Sequence, residues 1–230
     1  MPPLWTNFYI VVAIQFVLFC VFAVVRPMPL KDLARILAVS FFGGLALGIL
    51  FDFVVGQGNG VFSYYLPQTW KFSLMNGVLS YGAALATAAL FPAVVTSSDR
   101  LSRPIFALGA LLLLADLGAL YVVAVPFIQT VLLGMFLVLV SELLCLVMRL
   151  RGPLLSLVYG IWKPFLFFWA GSALVAAVYE AANFFFPVWI WDFADWIPTW
   201  KTELLMAAVG YMALMYTLVL FWQVLLQKRH

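Results

Sequence analysis

The chain has 230 residues, of which 67% are hydrophobic and 9% charged, with a mean hydropathy of +1.13 and a net charge of +3. A water-soluble domain carries roughly 25% charged residues, so this composition excludes a protein that faces water on all sides. Its few cations are scattered between apolar runs, without the density that binding phosphate backbones requires, which argues against a nucleic-acid partner.

Runs of about 20 apolar residues, each enough to cross ~30 Å of hydrocarbon, recur along the chain. They predict seven spans, at 5–25, 34–55, 73–95, 104–124, 128–148, 157–185 and 203–226. The fourth and fifth come from one run, 104–148, divided at Pro126 because a single helix that long would overshoot the bilayer. The expected fold is an all-α polytopic membrane protein forming one transmembrane domain over 1–230. The first span has neither a basic leader nor a small-residue cleavage site, and reads as a retained helix. Cys20 and Cys145 fall inside apolar runs and read as packing thiols rather than a disulfide.

Basic residues cluster in alternate loops: Arg26, Lys31 and Arg35; Arg100 and Arg103; Arg149 and Arg151; and Lys228 and Arg229 at the end. The other loops hold only Lys71 and Lys201. By the positive-inside rule the N-terminus lies outside and the C-terminus in the cytoplasm. The expected location is the inner membrane of a bacterium.

Two stretches look like copies of one device, in which a carboxylate near the end of an apolar helix precedes an aromatic loop and another helix. The first carries Asp52, Phe62, Tyr64, Thr69-Trp70-Lys71 and Asn76; the second carries Glu180, Asn183, Trp189, Trp191, Thr199-Trp200-Lys201 and Glu203. Glycines follow at Gly82 and Gly210, each beside a tyrosine, Tyr81 and Tyr211. The copies predict two parallel three-helix repeats, about 1–95 (spans 1–3) and about 128–230 (spans 5–7). Span 4, about 104–124, joins them, with a pseudo-twofold axis along the membrane normal.

Ionisable groups at membrane depth are costly and mark candidate functional sites. Asp52, Glu180 and Glu203 are the candidate catalytic residues. A carboxyl in an apolar site favours its neutral form and can serve as a general acid, while a neighbouring Asn76 or Asn183 holds it in place. The competing reading is a hydrated, ionised acid at the interface that caps a helix. Tyr64, Tyr65, Trp70, Trp189, Trp191, Trp196 and Trp200 fit an interfacial aromatic belt taken singly. A belt does not account for their repetition in step with an acid. Asp116 lies midway along span 4 and extends a proton path or is a buried, hydrogen-bonded acid. Glu142 and Lys163, at similar depth, are expected to pair with each other.

Other chemistries lack their residues. The single histidine is His230, which argues against histidine-ligated metal or haem and against a serine–histidine arrangement. Nucleotide-binding glycine loops and clustered aspartates for magnesium are absent from the sequence. Neither a cofactor nor a metal is expected.

The acid, the Asn three residues on, the Trp-x-aromatic and the Pro and Glu ahead of the next helix resemble the integral-membrane carotenoid cyclases of the lycopene cyclase type. The run Asp52, Gly56, Gly60, Phe62 and Tyr64 resembles the acid-Gly-Gly-Phe-x-Tyr pattern of membrane carotenoid hydratases. The seven-span layout is similar to that of membrane-bound terpenoid cyclases. The likeness covers about 52–82 and 180–211. It departs at the cyclases' Pro-x-Glu-Glu, since Pro198 and Glu203 stand five apart. The resemblance implies a cofactor-free enzyme acting on an apolar, lipid-like polyene that enters from the membrane. Asp52 or Glu180 would protonate a double bond, and Glu203 would return or remove a proton. Tyr64, Trp70, Tyr81, Trp191, Trp200 and Tyr211, with Asn76 and Asn183, would line the substrate site. Two other readings stay open. One is a proton-coupled carrier using Asp52, Asp116 and Glu180. The other is a non-catalytic subunit of a membrane complex, or a homo-oligomer, packed through Gly43, Gly44 and Gly48 or through Gly171 and Ser172.

Overall fold

The computed structural model of the chain describes residues 4–53, 60, 62–67, 69–91, 94–97, 103–192, 201, 204 and 211–226. Of these, 81% are helical. The helices are α1 (Leu4–Val25), α2 (Leu30–Leu50), α3 (Trp70–Asn76), α4 (Gly82–Ala89), α5 (Arg103–Val122), α6 (Pro126–Val147), α7 (Pro153–Val158), α8 (Trp162–Phe185) and α9 (Met212–Leu226). Short strands interrupt them: β1 (Phe62–Tyr64), β2 (Thr96–Ser97), β3 (Leu150–Arg151) and β4 (Trp189–Trp191). A π-helical segment, Gly77–Tyr81, joins α3 to α4 into one continuous helix.

Among the described residues five helices are long and apolar enough to cross a membrane: Leu4–Val25, Leu30–Phe53, Arg103–Val122, Ile128–Val147 and Trp162–Phe185. The chain is therefore a helical integral membrane protein. These helices are apolar nearly all round, as a helix between protein and lipid must be. In α1 one stripe, Phe8, Val11, Val12, Leu18 and Phe19, is buried while Val17, Val21 and Val24 face outward. The long run breaks between Val122 and Pro126, where proline opens α6 without needing its missing N–H. The span expected at 157–185 begins later, at Trp162, because a turn with Gly160 at φ 74° separates it from α7.

The chain forms two compact units, residues 1–90 with 174–210, and residues 91–173 with 211–230. In the first unit α1 and α2 pack on the continuous helix of α3, the π segment and α4. Its core is built by Phe8, Val11, Val12, Leu66, Phe72, Ala182 and Val188. In the second, α6 packs against α5 and α9, with Cys145, Phe168, Val219 and Trp222 among the buried side chains.

Two ribbons form. Strands β2 and β3 pair antiparallel, with Thr96 opposite Arg151. Strands β1 and β4 also pair antiparallel, with Phe62 opposite Trp191 and Tyr64 opposite Trp189. That second ribbon joins the aromatic loops that follow the two acids, an association the sequence reading did not contain.

Candidate functional site

The first acid sits on a ladder. Ser40, Gly44, Gly48 and Asp52 are spaced by four, so they share one face of α2 and its π-helical extension, and all four are buried. That face meets the π segment. A Cβ on Gly44 would lie 2.6 Å from the Gly77 carbonyl oxygen and 2.6 Å from Gly82 Cα. Glycine is what permits this backbone approach.

The π segment sets the angle. In an α-helix, residues five apart point about 140° away from each other. The wider i→i+5 turn brings them toward one face, and such turns recur at functional sites. Gly77 and Gly82 thereby both face the α2 ladder, and Asn76 and Tyr81 both reach Asp52.

Asp52 is fully buried and accepts from three side chains. Tyr64 Oη donates to Oδ1 at 2.8 Å, Tyr81 Oη to Oδ1 at 3.4 Å, and Asn76 Nδ2 to both oxygens at 3.4 Å. Asn76 Nδ2 also donates to Tyr64 Oη at 2.8 Å, which directs the Tyr64 proton toward the carboxyl. Burial, with the neighbouring Tyr81 and Asp52 charges adding, holds the Tyr64 phenol well above the ordinary tyrosine value, so it remains a donor.

Glu180, near the end of α8, is 3% exposed. Trp191 Nε1 donates to its Oε2 at 3.2 Å. Tyr64 and Trp191 come from the two strands of one ribbon. Residues two apart on a strand, and residues directly opposite, share a face. Phe62, Tyr64, Trp189 and Trp191 therefore share one face, and from it one hydroxyl reaches Asp52 and one indole N–H reaches Glu180. The Phe62 ring touches both Tyr64 (centroids 5.5 Å) and Trp191 (5.6 Å), so contiguous rings connect the two acids' partners. Phe72 extends the ring cluster, 4.8 Å from Tyr64 and 5.5 Å from Phe8.

The two asparagines do different work. Asn76 holds an acid, as expected. Asn183 instead accepts from the Val188 and Trp189 backbone N–H groups at 2.9 and 3.0 Å and donates to the Trp189 carbonyl at 2.9 Å. It shapes the loop that delivers Trp191. Beside it lies a cleft of about 200 Å³ lined by Tyr65, Asn183, Phe184, Trp189, Ile190 and Trp191. Whole-ligand sites run from about 300 Å³ upward, so this cleft is smaller than a whole-ligand site.

Trp70 is 66% exposed with Lys71 Nζ 5.7 Å from its ring centroid, the geometry of an interfacial belt residue. Tyr211 is partly buried and belongs to the second unit. Glu203, Trp200, Trp196 and Gly210 lie outside the described residues. Among the described residues no cluster of His, Cys, Asp or Glu is able to hold a metal.

The expected Glu142–Lys163 pair does not form. Lys163 is exposed. The Glu142 carboxylate accepts from Gly152, Leu154 and Leu155 N–H at 3.2, 3.0 and 3.3 Å and from the Tyr216 hydroxyl. The backbone donors at the start of α7 need an acceptor in this dry setting, and they satisfy the acid without a cation. Asp116 is buried, with neither oxygen hydrogen-bonded among the described residues.

The π turn, Phe8 and Phe72 were missed by sequence reasoning. The four-residue spacing of Gly44, Gly48 and Asp52 was a signal that pointed to the π-segment face. No protein-family model, curated protein or solved structure matches the chain.

Proposed function

We propose that the protein is a membrane-embedded, cofactor-independent enzyme that cyclises or hydrates an apolar isoprenoid lipid by proton transfer from a buried carboxylic acid. The observation that carries this reading is the pair of buried acids, Asp52 and Glu180, each held by an aromatic donor from one face of the same ribbon. In this reading the chain has seven spans in two parallel repeats, with the N-terminus outside and the C-terminus in the cytoplasm, in an inner membrane. Its kinship is with the carotenoid and terpenoid cyclases and hydratases it resembles.

Glu180 gives its proton to one carbon of a substrate double bond, and the other carbon becomes cationic. A second double bond of the same molecule closes a ring onto it, or water adds. Loss of a proton to the Asp52 carboxylate neutralises the cation, and return of a proton to Glu180 by exchange with water resets both acids for the next turnover. Asp52, whose oxygens accept from Tyr64, Asn76 and Tyr81, is the acceptor side of the pair. The Trp191, Phe62 and Tyr64 rings stabilise the cation by their faces, an effect worth about 2 kcal/mol or more where water is excluded. Exclusion of water keeps the cation from being quenched.

Incubation with polyene or prenylated lipids in deuterium oxide tests this. The expected product is an isomer of the substrate with one hydrogen replaced by deuterium, or the substrate plus one heavy water, in either case with one deuterium at the protonated carbon. Glu180→Gln and Asp52→Asn are expected to abolish it while leaving expression and melting behaviour intact. Turnover by both variants at the wild-type rate defeats the assignment.

One observation favours a second reading, a subunit of a membrane complex. Only 6% of the α5 span is buried, yet it carries Asp116, which has no hydrogen-bond partner among the described residues. Purification as a defined hetero-complex would support it.

A further inference from the structure

The ribbon of β2 and β3, in the second unit, brings together two polar groups that lack hydrogen-bond partners among the described residues. Thr96 and Arg151 are directly opposed across the antiparallel pair. Their side chains share a face, with Cβ atoms about 5 Å apart. Thr96 Oγ1 and Arg151 Nε are both buried, and neither has a hydrogen-bond partner among the described residues. Orphaned donors of this kind are costly and call for a ligand or water that satisfies them. The guanidinium lies over the Tyr159 ring, its Cζ 4.6 Å from the centroid, which fixes its plane and leaves its in-plane N–H groups to bind.

The surroundings hold this pair in place. Gln223 Oε1 accepts from Val94 and Val95 N–H at 2.9 and 3.0 Å, which anchors the lead into β2. Arg149, in the left-handed region at φ 58°, turns the chain into β3. Glu142, bonded to the Gly152 N–H next along, is occupied by backbone donors and by Tyr216, and Arg151 forms no ion pair among the described residues. Both strands belong to loops that the basic-residue pattern assigns to the cytoplasmic side, where the leaflet is anionic.

We propose that Thr96 and Arg151 form a site for a phosphate group, that of an anionic membrane lipid. The guanidinium supplies two parallel N–H donors to phosphate oxygens and the threonine hydroxyl a third, a geometry that favours a planar fork over a simple cation.

The test uses the full-length protein in detergent, with phosphatidylglycerol or phosphatidylcholine added, and native mass spectrometry to count retained lipid. Wild type is expected to retain phosphatidylglycerol in preference to phosphatidylcholine. Arg151→Gln is expected to lower that retention about tenfold or more and Thr96→Val about fivefold, the loss of a charge-assisted and of a neutral hydrogen bond respectively. Thr96→Ser restores the hydroxyl and the binding. Arg149→Gln removes the same charge two residues away and is expected to change retention less than about twofold, as a rim charge does. Equal retention in Arg151→Gln, or an equal loss in Arg149→Gln, overturns the proposal. If Arg151→Gln does not fold, the threonine pair decides, and wild-type behaviour of Thr96→Val overturns it. Displacement of phosphatidylglycerol by inorganic phosphate assigns recognition to the phosphate alone, and persistence assigns it to the lipid; retention of neither ligand by wild type overturns the site.

Discussion

Substituting Gly44 by alanine probes the crossing that holds the Asp52 site. The added Cβ would lie 2.6 Å from Gly77 O and Gly82 Cα, closer than unstrained carbon contacts allow. Both obstacles are backbone atoms in a packed helix, so they cannot rotate aside as a side chain would. Alanine gains about 1 kcal/mol over glycine in a helix interior. Overpacking costs about 1–3 kcal/mol, and a backbone obstacle places this site at the upper end. The net loss is about 1–2 kcal/mol, which in a chain of this size lowers Tm by roughly 2–8 °C. Gly118→Ala in α5 is the control, because among the described residues nothing lies within 4 Å of the new Cβ and only the helix gain remains. Thermal melting in detergent followed by far-ultraviolet circular dichroism reads both. A Gly44→Ala protein that melts at or above the wild-type temperature refutes the close approach and with it the geometry assigned to Asn76 and Tyr81.

Three further outcomes are expected. Asn183→Ala removes three hydrogen bonds to the 188–189 backbone and leaves buried N–H groups unsatisfied, a loss of about 2–4 kcal/mol. Faster protease cleavage near Trp189 and a red-shifted tryptophan emission are the readouts, and an unchanged spectrum and digestion pattern counts against it. Glu142→Leu strands the Gly152 and Leu155 donors, leaving the Leu154 N–H only the Tyr216 hydroxyl, and is expected to cost about 2 kcal/mol or more, measured by melting. Lys163→Met, by contrast, leaves stability within about 0.5 kcal/mol, because that side chain is exposed and has no ion pair among the described residues. The Tyr64 phenol is held above its ordinary value of 10.0 by burial, so the native state keeps a proton that the unfolded chain releases. Its contribution to stability is complete below pH 10 and falls as pH rises toward the folded value. Ultraviolet titration should therefore give superimposable tyrosinate curves for wild type and Tyr64→Phe until the protein unfolds. A one-tyrosine difference near pH 10 in the folded state contradicts this burial.

The sequence by itself determined the solvent and the helices. A composition of 67% hydrophobic residues with 9% charged cannot be wetted all round, and runs near 20 residues must satisfy their backbone internally as helices. Pro126 marked the break before α6 because it lacks an N–H and suits a first turn. The acids Asp52 and Glu180 stood out because charge in an apolar run is expensive, and Asn76 as a partner of Asp52 followed from the repeated device. What only the tertiary structure decided depends on contacts between segments distant in the chain. Nothing local in Phe62–Tyr64 or Trp189–Trp191 forms an isolated strand; each becomes one only against the other. The π turn at Gly77–Tyr81 leaves no mark in hydropathy, and it exists where α2 presses its glycines against that helix. Glu142 shows the same limit, for the sequence offered Lys163 as its partner by charge, whereas folding supplied backbone donors whose positions no pattern of side chains encodes.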